Sequence, residues 1–177
     1  ILIGLVGSEM CIRDSAPTDN DYGAKLPVRL KAWKEASYQE PKAESFNVVR
    51  DKDTTAVKVT YRFPQTDARW DITYKVYGNG VIKVDNHFVA ENAQTPMIPR
   101  VGLRMRLPAR ITSLTYYGRG PEENYRDRRT SQFIGEYTSG IQDMYEPYVR
   151  PQENNHRTDI YWCTLTSKAK EGLLFVA

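Results

Sequence analysis

The sequence predicts an all-β fold of antiparallel strands, on three observations. Successive segments alternate apolar and polar residues with a period of two. Two of these segments are joined by a Gly-Asn-Gly turn. Twelve tyrosines and three tryptophans, with frequent Val, Ile and Thr, favour pleated, half-buried surfaces over helices.

The alternation places the strands in order. Across Ala56–Phe63, Val57, Val59, Tyr61 and Phe63 share one face, with Lys58, Thr60 and Arg62 on the other. Across Trp70–Val76, Trp70, Ile72, Tyr74 and Val76 alternate with Asp71, Thr73 and Lys75. Gly78-Asn79-Gly80 supplies residues that tolerate positive φ, and Ile82, Val84 and Phe88 resume the pattern, which predicts a hairpin. His87 falls on the face of Val81, Lys83 and Asp85 and is expected to face solvent. A further strand carries Val101, Leu103, Met105 and Leu107 inward, with Arg104 and Arg106 outward. Thr112–Tyr117 and Ile160–Thr166 are also strand candidates. One stretch reads as helix, Leu26–Ser37, where Leu30 and Trp33 share a face and Pro27 is tolerable in the first turn.

The chain has 177 residues, which suits one domain with its own core. Residues 1–15 do not belong with the remainder of the chain. The apolar run Ile1–Val6 is too short for a signal peptide, no basic region precedes it, and Gly4 and Gly7 weaken it as a helix. The stretch resembles translated adapter sequence. Residues 16–177 are then the domain proper, and Glu171–Ala177 reads as a turn and a strand cut short. No stretch approaches the roughly 20 apolar residues of a membrane span. The net charge of +3 is dispersed, without the concentrated basic stripe of a nucleic-acid surface. Cys11 and Cys163 form neither a disulfide framework nor a metal site, and leave cytoplasm and periplasm equally open.

Three polar segments are richer than turns require: Ala16–Gly23 (APTDNDYG), Tyr117–Arg128 (YGRGPEENYRDR) and Tyr145–Asp159 (YEPYVRPQENNHRTD). Turn chemistry explains part of this, since Asp and Asn cap and turn while Gly and Pro set φ. In the second and third, Arg119, Arg126, Arg128 and Arg157 accompany Glu122, Glu123, Asp127 and Glu153. Such groups suit bidentate hydrogen bonding to sugar hydroxyls or across a domain interface.

With DMYEPYVRPQENNHRTDIYW extending the third, these segments resemble the successive signatures of the small-chain, or fifth, domain of glycoside hydrolase family two β-galactosidases, in that family's order and over essentially all of 16–177. The resemblance implies a galactose-mutarotase-like supersandwich, a large antiparallel β-sandwich. It implies a parent enzyme that removes terminal β-galactose from lactose-type substrates with retention, using two glutamates about 5–5.5 Å apart on an upstream barrel. This domain then lines the sugar pocket and packs on that barrel. On this pattern Asp19, Asn20, Asp21 and Gly23 belong to a mobile loop over the sugar, with Gly23 at its hinge. Glu153, Asn154, His156 and Arg157 are further sugar-facing candidates, and Glu123, Asn124, Tyr125, Asp127 and Arg128 face the neighbouring domain. Trp33, Trp70 and Trp162 do not match the family's stacking tryptophan. Asn155 stands where the family usually has glycine; asparagine best tolerates the left-handed conformation among other residues.

No residue is assigned to catalysis. Glu123 and Glu153 have arginine neighbours and read as anchors rather than proton donors. Asp19 and Asp21 lack the Gly and Glu of a calcium loop, so no metal is expected here, while the intact enzyme is expected to use Mg²⁺ or Ca²⁺ and in some cases Na⁺. The other reading is a free-standing mutarotase-like epimerase or carbohydrate-binding module, which needs its own acid/base pair. An incomplete sandwich would be poorly stable and prone to aggregate.

Overall fold

The computed structural model describes residues 2–5, 19–37, 43–98, 101–149 and 154–177. The strands are β1 (Leu2–Leu5), β2 (Ala43–Asp51), β3 (Thr54–Phe63), β4 (Ala68–Tyr77), β5 (Ile82–Ala90), β6 (Leu103–Arg106), β7 (Ile111–Gly120), β8 (Phe133–Gly140), β9 (Trp162–Ser167) and β10 (Gly172–Val176). The α-helices are short: α1 (Asp19–Gly23), α2 (Leu26–Arg29) and α3 (Lys31–Ser37). The strands form two four-stranded sheets, ordered β2-β3-β4-β5 and β10-β9-β7-β8, and a two-stranded β1-β6 pair. Two mostly antiparallel sheets with few helices are the composition of an all-β sandwich, as the alternation predicts. The chain divides into two compact units, residues 5–103 and residues 104–177 with the first four. Among the described residues, no helix is long and apolar enough to cross a membrane.

In the first unit the predicted register holds. Val59 pairs with Ile72, and Tyr61 with Trp70, which in turn pairs with Phe88. Val59, Trp70 and Ile72 are buried, whereas Lys58 and Arg62 are exposed. The expected helix is present but divided at Leu30, whose φ of −104° and ψ of 11° leave the helical range. Leu30 and Trp33 still share the core side and form a cluster with Ala68, packed by Leu26, Phe63, Phe88 and Ile98. Trp33 Nε1 donates to the Pro96 carbonyl at 3.2 Å. The hairpin closes through Gly78-Asn79-Gly80, with Gly80 at φ 87° and Val81 N–H donating to Asn79 Oδ1 at 3.1 Å.

The opposite sheet face is polar and tied by ion pairs. Arg62 meets Glu44 at 2.9 Å and Glu91 at 2.6 Å, and Arg69 meets Asp71 at 3.1 Å. Lys83 meets Asp85 at 3.0 Å. His87 lies on this face with its side chain 75% exposed, as the alternation predicts.

One strand departs from expectation. Val101, Leu103 and Met105, expected inward, are 46%, 37% and 37% exposed. Among the described residues β6 pairs with β1 alone and joins neither four-stranded sheet, so no ladder turns its apolar residues onto a core. Two strands carry little signal in the sequence. Every residue of β2 is exposed, and β8 is interrupted by Gly135 and Gly140.

In the second unit β7 is central, pairing with β8 on one side and β9 on the other. Tyr116 is fully buried, and Cys163 lies opposite it on β9. Burial pushes the Cys163 thiol up from its ordinary pKa, as for a small core hydrophobe. Gly118 permits a close approach, because a Cβ there would sit 2.9 Å from the Asp159 carbonyl oxygen.

Candidate functional site

The second and third polar segments meet at the end of β7, which delivers Arg119 and Gly120 directly into the first of them. Their junction is Asn124, 0% exposed. Its Nδ2 donates to the carbonyls of Arg119 and Glu122, each at 3.0 Å. Its Oδ1 accepts from the Thr158 N–H at 2.9 Å and the Thr158 hydroxyl at 2.6 Å. Its backbone N–H donates to the His156 carbonyl at 2.8 Å. A buried amide with both ends satisfied in this way replaces the ladder hydrogen bonds that irregular backbone lacks.

Around this junction each side chain closes another gap. Glu123, with its side chain 7% exposed, accepts from Arg128 Nη2 at one oxygen and from the Asn155 N–H at 2.8 Å at the other. Arg128 also donates to the Tyr148 hydroxyl at 2.7 Å and lies over the Tyr125 ring, 4.6 Å from its centroid. Tyr125 stacks on His156 with centroids 4.8 Å apart and planes 18° apart. His156 Nδ1 lies 2.7 Å from the Asn124 carbonyl oxygen. Arg157 Nε donates to the Tyr116 hydroxyl at 3.2 Å, and Arg157 Nη1 to the His156 carbonyl at 3.3 Å. Asn154 holds the backbone of Glu146 at both its N–H and its carbonyl. Arg119 donates to Asp159 at 2.7 Å, and Arg129 stands 3.7 Å from the same carboxyl. The Arg119 hydrogen bond holds the Asp159 carboxyl below the ordinary aspartate range, so the pair persists as pH falls through the range where an isolated aspartate protonates.

Of the predicted site residues, the fold brings together Glu123, Asn124, Tyr125, Arg128, Asn154, His156 and Arg157. Asn124 and the Glu123 carboxylate turn into their own unit, while Asp127 and Arg128 are exposed. Glu123 is an acceptor at both oxygens, the anchoring role its arginine neighbours predict. Asn155 adopts φ 63°, the left-handed conformation expected of a residue standing in for glycine. Glu153 lies outside the described residues. Asp19, Asn20, Asp21 and Gly23 belong to the other unit, where Asp19–Gly23 form a helical turn rather than irregular loop. Gly23 is not in the left-handed region, and an added Cβ would meet nothing within 4 Å, so its local conformation does not require glycine. Trp33 and Trp70, at 5% and 2% exposure, are core residues and offer no face for stacking.

Tyr116, Tyr148 and Thr158 act in the module without being singled out by sequence. Tyr116 reads as an ordinary strand residue, and only its place four positions before Gly120 hints that its ring fills space left by a glycine. Among the described residues, no group of three or more His, Cys, Asp or Glu is placed to hold a metal ion.

Comparison with known proteins shows the family. The family model described as "Beta galactosidase small chain" matches residues 12–177. A β-galactosidase of Priestia megaterium is 34% identical over 159 residues, covering 90% of this chain and 15% of the relative. Those of Streptococcus thermophilus and Lactobacillus delbrueckii subsp. bulgaricus are 32% and 35% identical, each covering 92% of this chain and 16% of the relative. The chain thus spans about 15% of the length of the first of these relatives.

Proposed function

This chain belongs to the β-galactosidase small-chain family, and from that premise we propose that it is a non-catalytic accessory domain of a β-galactosidase. It lines one side of the sugar pocket and packs on a catalytic barrel, in an enzyme acting on terminal β-galactose of lactose-type substrates. The observation that carries the reading is the closed hydrogen-bonding of its most enzyme-like carboxylate. Glu123 accepts from Arg128 and from the Asn155 N–H, and therefore serves as an anchor that gives two loops one fixed shape. A rigid rim of this kind suits orientation of a sugar whose chemistry is performed by glutamates elsewhere.

Asn154, His156 and Arg157 are the sugar-facing side of that rim, and Glu153, outside the described residues, is a further sugar-contact candidate. In the first unit, Asp19, Asn20, Asp21 and Gly23 are the sugar-facing candidates. Tyr125, Asp127 and Arg128 face the barrel, with Glu123 and Asn124 holding them in place. Mg²⁺ or Ca²⁺, and in some cases Na⁺, are expected in the intact enzyme. A free-standing mutarotase-like epimerase or carbohydrate-binding module is not favoured, since the matched relatives are β-galactosidases.

Hydrolysis of a chromogenic β-galactoside tests the division of labour. The purified chain is expected to show no turnover above background. Measurable turnover that disappears in Glu123→Gln would place catalysis in this chain and overturn the proposal.

A further inference from the structure

We infer that His156 presents Nε2 as a hydrogen-bond acceptor, in a tautomer fixed by its own loop module, and that this atom receives a hydroxyl of the sugar. The inference rests on the reading that the third loop faces the pocket, and it names the atom and the kind of contact.

The tautomer follows from one distance. Nδ1 lies 2.7 Å from the backbone carbonyl oxygen of Asn124. A carbonyl oxygen carries no hydrogen, so Nδ1 must be the donor. In the neutral imidazole the other nitrogen then holds a lone pair and can only accept. The carbonyl belongs to the residue whose side chain ties four backbone and hydroxyl groups together.

The direction of that lone pair is also fixed. The imidazole stacks on Tyr125, Tyr125 lies under the Arg128 guanidinium, and Arg128 is bonded to Glu123 and to the Tyr148 hydroxyl. Among the described residues Nε2 has no hydrogen-bond partner, and His156 is only partly buried, which leaves this nitrogen available to a ligand. Its neighbours differ: Asn154 is engaged at both amide atoms with Glu146, and Arg157 uses Nε and Nη1 within the module. His156 is the described third-loop candidate whose outward polar atom is open and whose inward one is committed. A neutral acceptor on a rigid ring selects a ligand that offers O–H, as a pyranose does, and it gains nothing from an O-methylated sugar at that position.

The test uses the full 177-residue chain with ¹⁵N-labelled histidine in mildly alkaline buffer. Long-range ¹H–¹⁵N spectra are expected to show His156 as the Nδ1–H tautomer, the opposite of the form free histidine favours. Adding isopropyl β-D-thiogalactoside should shift the Nε2 resonance. His156→Gln, which keeps an acceptor oxygen near Nε2, should retain affinity for this probe, and His156→Leu should lose about fivefold, the worth of one hydrogen bond. An Nε2–H tautomer in the free chain overturns the inference and leaves the pocket-lining reading standing. So does a galactoside that shifts other resonances while Nε2 stays still. A chain in which no resonance moves at saturating galactoside overturns both.

Discussion

Asn124→Ala is expected to destabilise the second unit by about 3–5 kcal/mol. The substitution strips partners from the part-buried carbonyls of Arg119 and Glu122 and from the Thr158 N–H and hydroxyl. A fully buried group left unpaired costs about 1–3 kcal/mol; these groups are part-buried, and water entering the small cavity recovers part of the total. Against a typical domain stability of about 5–15 kcal/mol, this is a large fraction. Asn124→Asp separates the two ends of the amide: it keeps acceptors for Thr158 but turns an oxygen toward two carbonyls. It should cost about as much as alanine. Denaturant titration followed by tyrosine fluorescence measures both, and a loss under about 1 kcal/mol for either would show that the two loops close without this side chain.

The second large effect lies in the other unit. Trp33→Ala should cost about 3–5 kcal/mol, the usual range for a buried tryptophan or phenylalanine truncated to alanine. Trp33 is 5% exposed, meets Phe63 edge-on at 6.5 Å and Phe88 in a tilted contact at 5.9 Å, and donates to Pro96. A helix of seven residues has little stability of its own, so losing this plug should release it from the sheet. Amide exchange should therefore quicken in residues 31–37 well before it does in β7 or β9. Uniform acceleration through both units would instead mean that they unfold together.

How much of this is legible in the sequence depends on whether a residue's neighbours lie close in the chain. The alternation of Val57, Val59, Tyr61 and Phe63 marks the buried face of β3, because strand geometry sends every second side chain to the same side. The same rule puts His87 on the solvent face. β2 is silent because its residues are all exposed, so no pattern of burial is written into it. Val101, Leu103 and Met105 alternate correctly but have no sheet to receive them, which shows that period two specifies faces and not partners.

The loops divide in a similar way. Asn155 in a left-handed conformation is expected from a glycine position filled by asparagine. The pairing of arginines with carboxylates foretells that Glu123 anchors, though not that its partners are Arg128 and the Asn155 backbone. The central place of Asn124 has no local signal, because it depends on Thr158, 34 residues away, arriving with both an N–H and a hydroxyl. Tyr116 is hidden for a related reason: the partners of its hydroxyl, Arg157 and the Pro121 carbonyl, are gathered only by the folded loops.

The polar face of β3, β4 and β5 gives the experimenter a dial. Its Arg62, Arg69 and Lys83 contacts are surface pairs, each worth about 0–1 kcal/mol, and electrolyte shortens their reach from about 8 Å at physiological ionic strength to about 3 Å at 1 M. The ties at Asn124 are uncharged and sealed from solvent, and the Glu123 carboxylate is nearly so. Molar sodium chloride should thus loosen the first unit's outer face while leaving unchanged the exchange of the backbone amides tied by Asn124. Ionic strength alone would then let the two halves of one chain be studied apart, without a single substitution.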